Sequence, residues 1–347
     1  MVKAEAILID ILYDRPVKYD NETIEGDLDL SKLDLPKDEK GRALIRISIE
    51  IKASDIDGVV NFGDAVFEEP VSFGDNKFSG FVDFRRAKFV RDADFYRSEF
   101  GGDAYFEKAD FGDHANFAVA HFGRIADFSE ALFNADADFA VAKFDDIAGF
   151  GGVQFNGDAI FDLAQFSDHA YFVNAEFNTK LKFYGTKFDK LYISWNSIKN
   201  NLVYDGPTYL ALIKNFKIIE RFADADNCHY QYRKESQDRK RLYSGESSWD
   251  WSKLSDIASW ISCGYGVRPI HTFICMFCIV VIGWVFFIGS SESLFESFYF
   301  SVMTFTGGDP DNLMLGRWLR TVAMIEAIFG YLFMALFVVV LGRKFIR

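Results

Sequence analysis

Between Phe62 and Phe188, phenylalanine recurs at alternating steps of five and six residues without a break, placing 24 Phe in one register. An aromatic this regular must meet the same environment each time, so the segment is a repeat and not a conventional core. The residue two before each Phe is Ala in 16 of the 24 cases, as in Ala93-Asp94-Phe95, Ala126-Asp127-Phe128, Ala137-Asp138-Phe139 and Ala159-Ile160-Phe161; elsewhere it is often Val, as at Val71 and Val82. An eleven-residue period also fits a right-handed helical coiled coil. A five-residue step, however, turns a helix by about 140°, which splits the Phe into two stripes. The pairs Gly101-Gly102 and Gly151-Gly152 would weaken such a helix further. An extended chain fits better. Ala and the Phe two later share one face, while the Asp, Asn, Gly, Lys and Glu around them point outward. Four segments per coil give coils of about 22 residues, and six coils at about 4.8 Å make a rod of roughly 29 Å.

This pattern resembles the pentapeptide-repeat family, whose unit reads Ala–(Asp/Asn)–(Leu/Phe)–x–x, over residues 62–188. The resemblance implies a right-handed quadrilateral β-helix. The sequence departs from the family by one extra residue in every second unit, which implies looser corners on alternate edges.

A solenoid has open ends that need covering. Val2–Tyr13 is expected to form a short helix, and 24–30 and 43–51 alternate as strands. Residues 1–60 are therefore read as a cap with the first irregular coils, and 61–205 as the solenoid, closed where Leu191-Tyr192-Ile193-Ser194-Trp195 leaves the register. Within 62–188, 22 Asp and Glu stand against 12 Lys and Arg, a net of −10. The plain reading is a solvated acidic surface. Some pentapeptide-repeat proteins use such a surface as a DNA mimic against topoisomerases, which stays open as an alternative. His114, His121 and His169 show no ligand spacing, and no catalytic constellation stands out, so no enzyme activity and no cofactor are expected. The net charge of −13 argues against nucleic acid as a partner.

The four cysteines are Cys228, Cys263, Cys275 and Cys278. The last two form a C-x-x-C, but within an uncharged apolar stretch without a second pair, so they are read as small hydrophobes. So few cysteines fit a reducing cytoplasm. The first residues carry Glu5 and Asp10 and do not read as a secretory leader.

Residues 206–267 read as a helical linker. Pro207 opens a helix, Leu212, Ile213, Phe216, Ile219 and Phe222 recur at helical spacing, and the same helix turns basic through Arg233, Lys234, Arg239, Lys240 and Arg241. Trp249, Trp251, Leu254, Ile257, Trp260 and Ile261 then suggest an amphipathic helix lying at a membrane interface. Gly264-Tyr265-Gly266 and Pro269 turn the chain into the bilayer.

Residues 268–347 hold two spans of membrane length, 270–288 and 321–342, the second interrupted only by Glu326. Basic Arg268, Arg343, Lys344 and Arg347 flank them, which by the positive-inside rule places both termini in the cytoplasm of a multi-pass protein of the plasma (inner) membrane. Between the spans, Ser293-Leu294-Phe295-Glu296 is a capping box that starts an apolar helix too short to cross, and the stretch 293–310 reads as pore helix and filter.

This arrangement resembles the two-transmembrane pore of the potassium-channel superfamily over 268–347. Tyr299-Phe300-Ser301-Val302-Met303-Thr304-Phe305-Thr306 matches the end of its pore helix. The resemblance implies a homotetramer in the lipid bilayer, with a selectivity filter at Thr304, Phe305, Thr306, Gly307, Gly308 and Asp309, and Asp311 at the outer mouth. Gly330 would be a hinge of the inner helix. Glu326 is either a functional group by default or a hydrogen-bond partner of the pore helix or a neighbouring subunit. The filter departs from the family, because Thr306 runs directly into Gly307-Gly308-Asp309, about three residues short, which removes on the order of 10 Å of carbonyl-lined path. The expectation is a weakly selective channel for monovalent cations, potassium or sodium, with the solenoid assembling the tetramer or binding a cytoplasmic ligand or protein. A non-conducting membrane-anchored scaffold is the other class that stays open.

Overall fold

The computed structural model describes residues 1–240, 251–290, 293–308 and 316–345, with the backbone of 243–244 and 248–249. It divides into two compact units, 1–228 and 229–347.

The first unit is a β-solenoid of about nine turns. Its longest ladder runs through eight strands from Val2–Lys3 to Gln165–Tyr171, with Lys187–Tyr192 added as the ninth. All neighbours in the stack pair in parallel, and from Ile49 each strand pairs with the one a constant interval later, as in Val71↔Ala93, Phe78↔Phe100 and Phe89↔Phe111, until the last pairing shifts register by one residue between Phe166 and His169. Four short strands make each turn. Residues alternate in and out, so Ala115 and Phe117 are fully buried while Asn116 between them is half-exposed.

The Phe rings form four columns. Phe95 lies on Phe117 at 4.9 Å and 3°, Phe106 on Phe128 at 4.8 Å and 2°, Phe111 on Phe133 at 4.7 Å and 1°, and Phe100 on Phe122 at 4.7 Å and 3°. Columns meet edge to face, as with Phe106 and Phe117 at 5.2 Å and 83°. Each ring buried in this way contributes about 1.5–3 kcal/mol from area alone. Ring pairing adds about 0.5–1.5 kcal/mol.

The alternating steps correspond to two kinds of corner. From Phe84 onward each five-residue step is a β-turn closed by a bond such as Ala87 N–H to Phe84 O at 3.0 Å or Ala131 N–H to Phe128 O at 3.0 Å. Its third residue has positive φ, as at Arg86 (58°), Lys108 (57°), Val119 (62°), Glu130 (57°) and Val141 (61°), the mark of a type II turn. Glycine would be usual there. A six-residue corner such as 89–95 contains no positive-φ residue.

Part of the acidic surface is structural. The Asp in Ala-Asp-Phe accepts from the N–H two residues on, as Asp138 does from Ala140 at 2.8 Å and Asp94 from Tyr96 at 3.1 Å. These are Asx bonds that set up the turn. Where a polar residue replaces Ala in the core, it reaches the backbone of a neighbouring coil. Asn76 accepts from Ser54 N–H at 2.9 Å and donates to Ile51 O at 2.6 Å, and Ser98 donates to Phe73 O at 2.5 Å.

Both ends are covered. At the start, α1 (Ala4–Leu12) buries Ala4, Ile7, Leu8 and Ile11, one helical face. The first coil is longer than the rest: Val17 pairs with Ile49, whereas Ile49 pairs with Val71, because 33–42 loops out around Gly41 (φ 80°) and the Asp38–Arg42 pair. At the other end α2 (Trp195–Ile198) precedes α3 (Gly206–Ile218), whose first turn contains Pro207 and is capped by Asp205 accepting from Thr208 N–H at 3.0 Å. Asn215 of α3 accepts from Leu191 N–H at 3.0 Å and donates to Leu191 O at 2.7 Å, so one side-chain amide occupies the sheet edge where another strand would pair.

The sequence pattern implies a single helix from 209 into the basic run, yet the chain forms two. Glu220 (φ 60°) ends α3 in a Schellman motif, with Arg221 N–H to Phe216 O at 2.7 Å and Glu220 N–H to Lys217 O at 3.2 Å, and α4 (Phe222–Arg239) starts afresh. A glutamate fills the place usually held by glycine, which is why the sequence hides the break. Trp249 is likewise not helical: it pairs with Tyr243 across two short antiparallel strands, and α5 (Trp251–Cys263) begins after it.

Replacing Val141 by Asn should relieve a β-branched residue at positive φ and raise solenoid stability by about 1 kcal/mol. Phe128→Ala should lower it by about 3–5 kcal/mol. Thermal unfolding of the full chain, followed by the β-sheet circular dichroism signal, checks both, and an unchanged midpoint for Phe128→Ala would contradict the stacking account.

Candidate membrane site

The second unit opens on a polar junction. Asp256 of α5 is buried and receives Arg233 and Lys240, both from the α4 end of the unit, the latter at 2.7 Å. Gly264, Tyr265 and Gly266 then follow one another with φ of 53°, 58° and 75°, a left-handed run that reverses the chain. Tyr265 is held there by its hydroxyl on Gln237 and by the Arg233 guanidinium 5.5 Å above its ring. Burial, reinforced by Asp256, pushes its hydroxyl pKa up to about 12. Arg343 donates to Gly266 O at 3.4 Å, tying the last helix of the chain to this turn.

Two helices long and apolar enough to cross a membrane follow, α6 (Pro269–Phe287) and, after α7 (Leu294–Thr306), α8 (Arg317–Phe345). They exceed or shift the expected spans by a few residues. In each, only 17% of the most apolar window is buried inside the chain, whereas a soluble core helix would be mostly covered. α7 is capped by Ser293, whose hydroxyl accepts from Glu296 N–H at 3.1 Å.

The three helices meet through small residues. A Cβ at Gly283 of α6 would land on the Glu326 carboxyl of α8. Ser301 of α7 donates to Glu326 or to Val280 O at 2.8 Å, so the helices share one hydroxyl. A Cβ at Gly330 of α8 would run into the Phe305 carbonyl of α7. Phe287 and Phe300 meet edge to face at 4.6 Å.

Of the residues singled out in the sequence, Thr304, Phe305 and Thr306 form the last turn of α7 and are not extended. Gly307 (φ 82°) and Gly308 end that helix, with Gly307 N–H to Thr304 O at 3.2 Å and Gly308 N–H to Met303 O at 2.7 Å. This is a Schellman cap. A Cβ at Gly307 would meet the Tyr331 hydroxyl. Glu326 and Gly330 are buried against α7. Asp309 and Asp311 lie outside the described residues. Gly283 beside Glu326 and Tyr331 beside Gly307 escape sequence reasoning, and Ser301 enters it only as part of the pore-helix match; a glycine inside an otherwise bulky span is the only signal Gly283 offers. Cys228 is fully buried in the first unit, and burial pushes its thiol pKa far up.

A family model described as pentapeptide repeats (9 copies) matches residues 77–120, 95–142 and 119–164. Over those residues the β-solenoid of the first unit is built of pentapeptide repeats. The matched residues all lie within its Phe columns. No curated protein and no solved structure matches the chain.

Gly283→Ala and Gly330→Ala should each destabilise the helical unit by about 1–3 kcal/mol through forced separation of its helices. Gly289→Ala, where an added Cβ meets nothing within 4 Å, is the control. Thermal midpoints in detergent measured by helix circular dichroism decide it; equal midpoints for all three would sink the close-approach reading.

Proposed function

We propose that the chain assembles as a homotetrameric cation channel of the plasma (inner) membrane, with both termini and the pentapeptide-repeat solenoid in the cytoplasm. The observation that carries this reading is α7. A 13-residue apolar helix too short to cross a bilayer lies between two helices of spanning length and ends on the Gly307-Gly308 turn. Short helices and irregular backbone at membrane depth are tolerated where they line a water-filled cavity. The low burial of α6 and α8 leaves surface for lipid and for neighbouring copies.

In this reading α7 is re-entrant, and its negative C-terminal end favours cations. The carbonyls of Thr306, Gly307 and Gly308 lie beyond the two that the cap occupies, and they conduct potassium or sodium with weak discrimination because the path is short. Asp309 and Asp311 would ring the mouth. Exposed Trp251, Trp260 and Ile261 on α5 suit the membrane interface. No cofactor and no covalent chemistry enter. The DNA-mimic alternative loses support from the solenoid itself. Asp138 and Asp94 are engaged in Asx turns, and one ladder mixes the two signs, with Lys77 between Asp55 and Glu99 and Lys143 further along.

Single-channel recording of the purified protein in planar bilayers under asymmetric KCl and NaCl should give a cation-permeable conductance. Gly308→Ala or Asp309→Asn should change its amplitude or reversal potential. Silence across pH, calcium and tension in a protein shown to be tetrameric would favour the membrane-anchored scaffold instead.

A further inference from the structure

An apolar cleft of about 360 Å³ runs between α6 and α8, lined among others by Gly283, Phe286, Trp318, Val322, Glu326 and Phe329. Glu326 is the one charged side chain among its described lining residues, and it is 4% exposed. Its Oε1 takes the Ser301 hydroxyl, but its Oε2 is buried without any hydrogen-bond partner. Gly283 supplies the space in which the carboxyl sits, since any Cβ there would overlap it. A buried carboxyl oxygen without a partner costs several kcal/mol unless something fills the gap.

The chemistry of the lining selects the occupant. A metal ion would need several oxygen or nitrogen ligands, and the cleft offers one free carboxyl oxygen. An anion would face a carboxylate. An amine suits either protonation state: as an ammonium it donates to the carboxylate, and as a free base it accepts from the acid. Phe286, Trp318 and Phe329 add three aromatic rings, whose faces attract a cation. The volume falls within the range of small-molecule pockets, and its apolar walls call for an apolar body.

We propose that this cleft is a binding site for a lipophilic amine, with the apolar body between α6 and α8 and the nitrogen on the Glu326 carboxyl, whose unpartnered Oε2 turns from the Gly283 backbone into the cleft to meet it. The site needs only the helix pair and the carboxyl, so it stands whether or not the pore conducts, and its test reads binding instead of current.

The probe is 1-aminoadamantane, a compact apolar cage bearing a primary amine, with 1-adamantanol as its uncharged counterpart. Equilibrium binding of labelled probe to the full-length protein in lipid nanodiscs, corrected with empty discs, should be saturable. It should be at least about tenfold tighter for the amine than for the alcohol, as expected of a charge-assisted hydrogen bond. Glu326→Gln should remove that preference, and Val322→Trp, which fills the cleft while leaving the carboxyl in the chain, should weaken both probes. Elution volume and helix content establish that each variant is folded. Should Glu326→Gln fail that check, the amine-against-alcohol comparison on the unaltered protein decides alone. Equal affinity for the two probes, undiminished amine binding in folded Glu326→Gln, or no saturable binding because lipid or a neighbouring subunit fills the cleft would each overturn the proposal.

Discussion

Two repeat distances must coincide in the first unit. Parallel strands stack at about 4.7–4.9 Å, and the ring centroids of successive Phe in a column lie at 4.7–5.1 Å in the middle of the rod. The backbone ladder and the aromatic columns therefore share one pitch, and every coil has to return after the same length of chain to keep both in step. The rest of the solenoid follows from this. Ala two residues before most Phe keeps the coil narrow. The corners accept non-glycine residues at positive φ because the columns on either side fix where the chain must go. The added length of the first coil occurs where the core is still Val, Ile and Leu, so no Phe column is put out of register.

A stack held by edges has to end deliberately. α1 does this with an apolar face. The other end uses chemistry: the Asn215 amide satisfies the donor and acceptor of Leu191, and Thr208 donates to Phe183 O at 2.9 Å. An unpaired strand edge invites further pairing, so these polar contacts keep the solenoid from growing by addition of other chains.

The helical unit solves its packing in the opposite way. The solenoid fills its interior with large aromatic side chains, whereas α6, α7 and α8 approach through residues that have almost none. Gly283 admits the Glu326 carboxyl and Gly330 admits the Phe305 carbonyl. For helices apolar enough to cross a membrane, where lipid would supply no hydrophobic drive between them, close approach and shared hydrogen bonds are the interactions that can hold them. A carboxyl at that meeting point is costly, and a single Ser301 hydroxyl only half satisfies it.

The sequence by itself determined the features that depend on local periodicity: the length of the coil, the inward Ala and Phe, the N-terminal helix, the two apolar spans and the Ser293 cap of α7. Each is a pattern in neighbouring residues, and side-chain alternation or helical pitch converts it directly into a face. Tertiary structure alone decided that Glu220 would end α3 without glycine, that Asn215 would stand in for a strand, and that Asp256 would be buried under Arg233 and Lys240. It also gathered Gly283, Ser301 and Glu326 from three helices into one site. These contacts join residues distant in the chain or replace the residue type a motif favours, so no period marks them. A buried polar group finds its partner through packing in space, and spacing along the chain carries no record of it.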